Sequence, residues 1–457
     1  MPEFEELRAK HAAQYQAALP EHLERLTWSQ ERLRAERERG LRALLKVAKE
    51  RSPWHRARLA HIDADMATEA DLASISPMTK DDMMANFDTV VTDSRLSRET
   101  VESHVDSLTT GSYLFDEYCV MASGGSSGTR GVFAYDWKGW LECALSFHRL
   151  RTRATRRAGI APDAVRVAVV GAKASHMSNL MSRTFLLAAG SSVVPATLPL
   201  PEIVVRVNEL RPEIVSGYSS MMYLLARESL AGRLHVRPRM VMCASEPLLD
   251  DMRRVIGEAW GVDTPVLNGY FTSEGASASG CGQGPGMHLN EDVCIFEPVD
   301  AEGQPVAPGE RAAKLYITQL LNHAQPLIRY ELTDEVTLLD DEAPCPCGSA
   351  MRRIDDIGGR SDDVFTYEGG VTVHPMTFRS PLGRERHIIE YQVRQTAHGA
   401  DVALRTDGPV DIEALRAALE GGLSAAGVRA PRANVEIVEG AFERQATGKL
   451  KRFFPLT

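Results

Sequence analysis

The sequence predicts an α/β protein in two unequal parts: a large N-terminal domain of β-sheets and packed helices, and a small α+β C-terminal domain. Three observations carry this reading. From about residue 115 to 355, short β-rich runs alternate with stretches of helical period. The runs are continuously apolar, as expected for strands buried on both faces of a parallel sheet. A glycine pair, Gly358-Gly359, then separates this body from a segment with strand and helix signals of its own, which divides the chain into residues 1–360 and 361–457. With 457 residues the chain also exceeds the ~250–300 at which single hydrophobic cores stop growing.

Residues 1–60 are charged with helical spacing, and Glu31 to Gly40 (ERLRAERERG) reads as a solvated helix surface closed by a glycine. The segment is a helical arm suited to packing or to homodimer formation rather than to holding a ligand. In the body, Val165–Val170, Ser192–Val194, Ile214–Val215 and Met240–Met242 read as buried strands, with Ser219–Glu228 the clearest intervening helix. In the last segment Tyr391–Arg394 and Asp401–Arg405 alternate like strands, and Asp411–Glu420 is helical by period.

Composition excludes several classes of function. Hydrophobic residues make up 44% and charged residues 25%, the balance of an ordinary globular protein without extended disorder. A net charge of −10 disfavours a nucleic-acid partner, whose binders carry a basic footprint. No apolar run reaches the ~20 residues of a membrane span. The start, Met1-Pro2-Glu3-Phe4-Glu5-Glu6, has neither the basic nor the apolar part of a signal peptide. The expectation is a cytoplasmic protein with no membrane partner. Seven cysteines without a secretion signal disfavour a disulfide framework. Cys119, Cys143, Cys243 and Cys294 sit among apolar residues as small hydrophobes, whereas Cys281, Cys345 and Cys347 sit in loops rich in glycine and proline.

Chemistry concentrates in five segments. Ser123 to Gly131 (SGGSSGTRG) is a loop whose backbone N–H groups are free to face phosphate oxygens; alone it reads as an anion site or as a connector. It is followed in order by Asn268–Glu274 (NGYFTSE), Leu327–Asp334 (LIRYELTD), Gly359–Asp363 (GRSDD) and Ala446–Lys449 (ATGK). The ordered set resembles the AMP-forming, carboxylate-activating superfamily of acyl-CoA synthetases, peptide-synthetase adenylation domains and luciferases. Leu41 to His55, followed by Ser76 to Asp82, resembles the N-terminal region of phenylacetate-CoA ligases.

The resemblance implies that residues 1–360 form an adenylate-forming, AMP-binding domain and that residues 361–457 form a mobile domain. It implies that ATP and Mg²⁺ activate a small-molecule aryl or acyl acid to an acyl-adenylate, which coenzyme A converts to a thioester. Under the same resemblance, Ser126, Ser127, Gly128 and Thr129 cradle phosphates, and Ser245, Glu246 and Pro247 close over adenine. Tyr270 stacks on the base, Ser273 meets the α-phosphate, and Glu274 holds magnesium. Asp334 takes the ribose hydroxyls and Arg360 contacts ribose or phosphate. Lys449 reaches the α-phosphate and the carboxylate, making Lys449, Glu274 and Arg360 the catalytic set, and Asp362 is the hinge. The residue types suit these tasks: an aromatic face for a purine, a carboxylate for a hard cation, two acceptor oxygens for a diol. His176, Gly217 and Tyr218 border the acyl pocket, although His176 reads equally as a structural histidine. Arg130 replaces the superfamily's usual threonine, and Phe271 its usual glycine, which narrows the substrate side.

Cys281, His288, Cys345 and Cys347 supply three thiols and an imidazole from loop positions, a set suited to a closed tetrahedral structural zinc. Relatives of the phenylacetate-CoA ligase type carry a similar pattern; independent reduced cysteines are the alternative. The motifs do not encode the acceptor, so a carrier-protein thiol or an amine could replace coenzyme A, and a non-catalytic nucleotide-binding scaffold is a further alternative. The acid cannot be read from residue types, because one methylene changes discrimination by only ~1–3 kcal/mol.

Overall fold

The computed structural model describes residues 4–456 apart from 108–111, 124–129, 162–164, 172–190, 341–343, 356, 358, 361–362, 386, 443 and 445–448. Two long helices open the chain, α1 (Phe4–Arg25) and α2 (Gln30–Arg51). Contrary to expectation, Gly40 does not close a helix: α2 runs through it, capped by Ser29, whose side chain accepts from Arg32 N. The reason for the glycine is packing, since a Cβ there would lie 3.2 Å from the side chain of Leu320. Nor is this stretch only a solvated surface, because Leu33, Arg37 and Leu41 are buried on one side of it.

A hairpin of β1 (Tyr118–Ala122) and β2 (Val132–Asp136) follows, and leads through the cap residue Asp136 into the long helix α3 (Trp137–Arg157). The central sheet has eight strands. Its parallel part comprises β3 (Val167–Gly171), β4 (Ser191–Pro195), β5 (Ile214–Tyr218), β6 (Met240–Ala244) and β7 (Val266–Phe271). The four expected strands are all in this part. Between them lie α4 (Leu200–Leu210), α5 (Ser219–Leu230) and α6 (Asp250–Trp260). An antiparallel extension, β8 (Ser277–Ser279), β9 (Met287–Leu289) and β15 (Arg353–Ile354), gives the order β15-β9-β8-β7-β6-β5-β3-β4.

Two small antiparallel sheets complete the body. One pairs β10 (Cys294–Val299), β12 (Lys314–Gln319) and β13 (Tyr330–Leu332); the other pairs β11 (Arg311–Ala312), β14 (Asp334–Thr337) and β16 (Gly359–Arg360). These strands are two to six residues long, too short for a period to be legible in the sequence.

The small C-terminal domain has the hairpin β17 (Phe365–Tyr367) and β18 (Val371–Val373), the helices α7 (Met376–Arg384) and α8 (Ile412–Ala425), and a four-stranded sheet. That sheet comprises β19 (Ile388–Thr396), β20 (Gly399–Thr406), β21 (Arg432–Ile437) and β22 (Phe453–Phe454), in the order β21-β20-β19-β22. Its core of Phe365, Phe378, Val393, Leu419, Phe453 and their neighbours is drawn from within residues 365–453 alone. Among the described residues no helix is long and apolar enough to cross a membrane.

The arm is fastened to the body by buried charge. Arg149 of α3 donates to Asp292 at 2.7 Å and to Asn290 at 2.7 Å, and both members of the ion pair have fully buried side chains. Arg25, at the end of α1, reaches the same carboxylate at 3.5 Å and Glu142 at 3.1 Å. Removing one member of such a pair strands the other in a medium that solvates it poorly. Asp292→Ala is therefore expected to lower unfolding stability by about 3–5 kcal/mol, read as a lower urea midpoint.

Candidate functional site

In open α/β sheets, ligands bind outside the carboxyl ends of the strands where the strand order reverses. Here β3 lies between β4 and β5, so the chain leaves β3 towards one side, to β4, and leaves its neighbour β5 towards the other, to β6. Gly217, near the end of β5, is at that reversal: a Cβ there would be 2.1 Å from the carbonyl oxygen of Val170 on β3. The space it leaves is therefore taken by backbone. Tyr218, Ala244 and Gly269 stand in register across β5, β6 and β7. Residues in register share a face, and this one carries the Tyr218 ring with two small residues beside it. The Phe147 ring of α3 lies 3.4 Å from where a Gly269 Cβ would be, and stacks obliquely on Phe271 with centroids 5.0 Å apart.

Beyond β6 the chain turns at Ser245, whose φ of 67° is uncommon for a residue with a side chain. Beyond β7, Ser273 and Glu274 occupy a turn held by Tyr135, whose hydroxyl donates to the Ser273 carbonyl at 2.7 Å. Glu274 is buried, and so is the nearby Tyr330. Burial, and after it the Glu274 carboxylate, raises the Tyr330 hydroxyl far above its ordinary range, so it stays protonated beside that carboxylate. Tyr270 donates its hydroxyl to Asp334 at 2.8 Å, and Asp334 pairs backbone to backbone with Arg360 across β14 and β16. Three segments expected to serve one nucleotide thus meet.

A fourth comes from the C-terminal domain. Lys449 Nζ lies 5.9 Å from the centroid of the Tyr218 ring, and Leu450 N approaches Glu246 Oε1 at 3.4 Å. The same carboxylate accepts from Ser220 N at 3.0 Å at the start of α5. Lys449 and Glu246, remote in sequence, are thereby brought to one sheet edge. Pro247 is half-buried in the same turn. Ser126, Ser127, Gly128, Thr129, His176 and Asp362 lie outside the described residues. At the base of the glycine- and serine-rich segment, Ser123 N and Gly131 O bond at 2.8 Å. Arg130 pairs with Asp106 at 2.7 Å on an exposed flank. Tyr135 and Phe147 are site neighbours that sequence reasoning missed, each an ordinary aromatic in a strand or helix with no local signal beyond its hydrophobicity; Tyr330 lies within the Leu327–Asp334 segment but was given no role there.

The cysteine set converges. Cys281, His288, Cys345 and Cys347 are all buried, and their ligand atoms lie within 4.8 Å of one another. His288 differs from expectation in standing on β9, where pairing with Arg353 fixes its backbone, rather than in a loop. Cys281 and Cys345 sulfurs are 3.5 Å apart, and Cys347 Sγ is 3.4 Å from His288 Nε2. Ligands at 2.0–2.3 Å from a tetrahedral centre are ~3.3–3.8 Å apart, so the set fits a single metal ion. The other ring nitrogen, His288 Nδ1, bonds the Met351 carbonyl at 3.0 Å, which directs Nε2 inward as a ligand requires. Backbone N–H groups of Gln283 and Ser349 each lie 3.4 Å from a cysteine sulfur. Hydrogen bonding from Cys281 lowers Cys347 and correspondingly raises Cys281, the sharing of one charge that a divalent cation would relieve.

No protein-family model matches the chain. It is 31% identical over 204 residues to the phenylacetate-coenzyme A ligase of Thermus thermophilus, covering 43% of this chain and 44% of that protein. It is 28% identical over 221 residues to the phenylacetate-coenzyme A ligase of Pseudomonas putida, covering 46% and 48%. The match thus spans less than half the length of these curated relatives. Among solved structures, 2-hydroxyisobutyryl-CoA ligase in its postadenylation state superposes with a TM-score of 0.68 at 18% identity, covering 94% of this chain and 90% of that one. The same ligase in its thioesterification state gives 0.54 at 19% identity, covering 94% and 91%. The chain is a homologue, over part of its length, of the phenylacetate-coenzyme A ligases, and it has the fold of the adenylate-forming CoA ligases.

Proposed function

We propose that this protein activates an aryl or acyl carboxylic acid with ATP and transfers the acyl group to coenzyme A. The observation that carries the reading is the meeting of Lys449 and Leu450 with Tyr218 and Glu246 at the carboxyl edge of the parallel sheet. In the first step a carboxylate oxygen attacks the α-phosphorus of ATP, forming the acyl–phosphate bond as pyrophosphate leaves. In the second, the thiol sulfur of coenzyme A forms a bond to the acyl carbon, its proton is lost, and AMP departs with the electrons of the C–O bond.

Each residue has a task in this scheme. Lys449 offsets the negative charge gathered where carboxylate and α-phosphate meet, the kind of fixed-charge stabilisation that favours a transition state. Glu274 holds the magnesium that accompanies ATP, and buried Tyr330 beside it restricts where that carboxylate can sit. Asp334, already accepting from Tyr270, is positioned to exchange that bond for ribose hydroxyls. Ser245 to Pro247 borders the base, and the loop 124–129 holds phosphates. The face bearing Tyr218, Ala244, Gly269 and Phe271 receives the acid, with aromatic rings at its sides and small residues between.

The domain boundary falls at residues 360–361, with Asp362 as the hinge between two poses. The better superposition on the postadenylation state supports assigning the present arrangement to the first pose. The metal is zinc, held by Cys281, His288, Cys345 and Cys347. It serves structurally, since four protein ligands leave no position for water.

Acid-dependent pyrophosphate release across aryl, short-chain and medium-chain acids, with product masses measured with and without coenzyme A, tests the function. No release with any acid would overturn it. Lys449→Ala is expected to abolish adenylate formation while still converting supplied acyl-adenylate to thioester. Glu274→Gln should raise the magnesium concentration needed for half-maximal rate without lowering the melting temperature, and Asp334→Ala should weaken ATP binding. Purified protein should contain about one zinc per chain. The Cys345→Ser/Cys347→Ser double variant should lose that zinc and melt at a lower temperature; full retention of the metal would exclude the site.

A further inference from the structure

We propose that Arg227 and Asp407 form an interdomain clamp, which positions the C-terminal domain so that Lys449 faces the candidate site. The inference rests on the two-pose reading above and identifies what holds the first pose. Arg227 stands on α5, whose first turn begins beside Tyr218 and whose Ser220 N bonds Glu246. Its guanidinium donates to the Tyr223 hydroxyl at 2.7 Å and ion-pairs with Asp407, just beyond β20. The Tyr223 hydroxyl donates in turn to the carbonyl of Ile388, at the start of β19, at 3.2 Å. Asp407 is further held by His387 Nδ1 at 3.2 Å. Two side chains at i and i+4, adjacent on one helix face, thereby grip both strands of the β19–β20 hairpin.

Beside the clamp Ile389 packs partly against the body, and the seam there is only partly filled. A groove of about 400 Å³ lies along it, bordered by Leu224, Leu230, Val255 and Ile389 as well as by the clamp residues. A continuous apolar interface would hold the domains together over a range of angles. Directional bonds across a groove hold one angle and are lost together when the hairpin turns away. α5 also spans the distance between clamp and site: its N-terminus touches the Lys449 segment through Tyr218 and Glu246, and its next turns carry Tyr223 and Arg227. A rigid helix therefore couples the two contacts. The side chains of Arg227 and Asp407 are 18% and 42% exposed, so their pairing shifts an equilibrium a few fold rather than locking it. That strength suits a pose that must be left in every catalytic cycle.

The test reads domain position directly. Val262 and Ile437 are exposed, on the large and small domains respectively, and all seven native cysteines are buried, so cysteines introduced at 262 and 437 accept distance labels. Arg227→Asp and Asp407→Arg are each expected to lower the ratio of the present pose to rotated poses by about two- to fivefold. The Arg227→Asp/Asp407→Arg double variant, which reverses the pair, should restore it. Adenylation should slow by no more than that factor in the single variants, with conversion of supplied acyl-adenylate to thioester undiminished. An unchanged label distance in both single variants, or no recovery in the double, would overturn the clamp. Because the distances need neither acid nor nucleotide, they decide the clamp even if the unmodified protein releases no pyrophosphate, an outcome that would count only against the proposed reaction.

Discussion

The carbonyl of Val170 fills the space that any side chain at position 217 would need, and the arrangement of the candidate site depends on that approach. It brings β3 and β5 together at the point where the strand order reverses. The ends of β5, β6 and β7 then open towards one side. Tyr218, Ser245 and Ser273 leave the sheet there, each beginning a turn with its own restraint: the start of α5, a left-handed backbone, a tyrosine hydroxyl. A sheet buried on both faces resists deformation. The crevice at its edge is therefore shaped by strand geometry more than by loop flexibility.

The contrast with the small domain is physical. Its core is self-contained, and its contacts with the body near the site include single hydrogen bonds and ion pairs such as Leu450 N to Glu246 and Arg227 to Asp407, with Ile389 as an apolar contact beside them. Polar contacts at a partly wet seam exchange readily with water, so breaking them costs little. Buried apolar packing would not permit this. The molecule thus joins a stiff sheet edge to a domain held largely by replaceable bonds, which is what the proposed approach and withdrawal of Lys449 would require.

The cysteine set and the buried ion pairs work at the opposite end of the sheet. Cys281, Cys345 and Cys347 pack with Leu26, Trp28 and Leu33 of the arm and with Leu150 of α3. Arg149 is anchored two to four residues beyond His288, at Asn290 and Asp292. A metal ion in this set would fix the loop after β8, the strand β9 and the segment before β15 as one unit. The arm lies against that unit, so its first role is packing, as its buried His11, Tyr15 and Leu19 indicate.

Strongly periodic elements were legible without coordinates. The parallel strands β3 to β6, α5 and α8 follow from local pattern, because burial on both faces or along one stripe leaves a mark in every few residues. Gly40 misled because a glycine within a helix and a glycine ending one look alike in sequence; the Leu320 side chain that makes it necessary is remote. The small antiparallel sheets left no mark for lack of length. The sequence by itself determined the residue types available: an ordered set of hydroxyl, aromatic, carboxylate and cationic side chains suited to a nucleotide, and three thiols with an imidazole suited to a metal ion. Tertiary structure alone decided which of these meet. Tyr270 with Asp334, Lys449 with Tyr218, His288 with Cys347 and Arg227 with Asp407 are pairings across long stretches of chain. Such contacts follow from how strands order and helices pack, and neither residue type nor spacing encodes that locally.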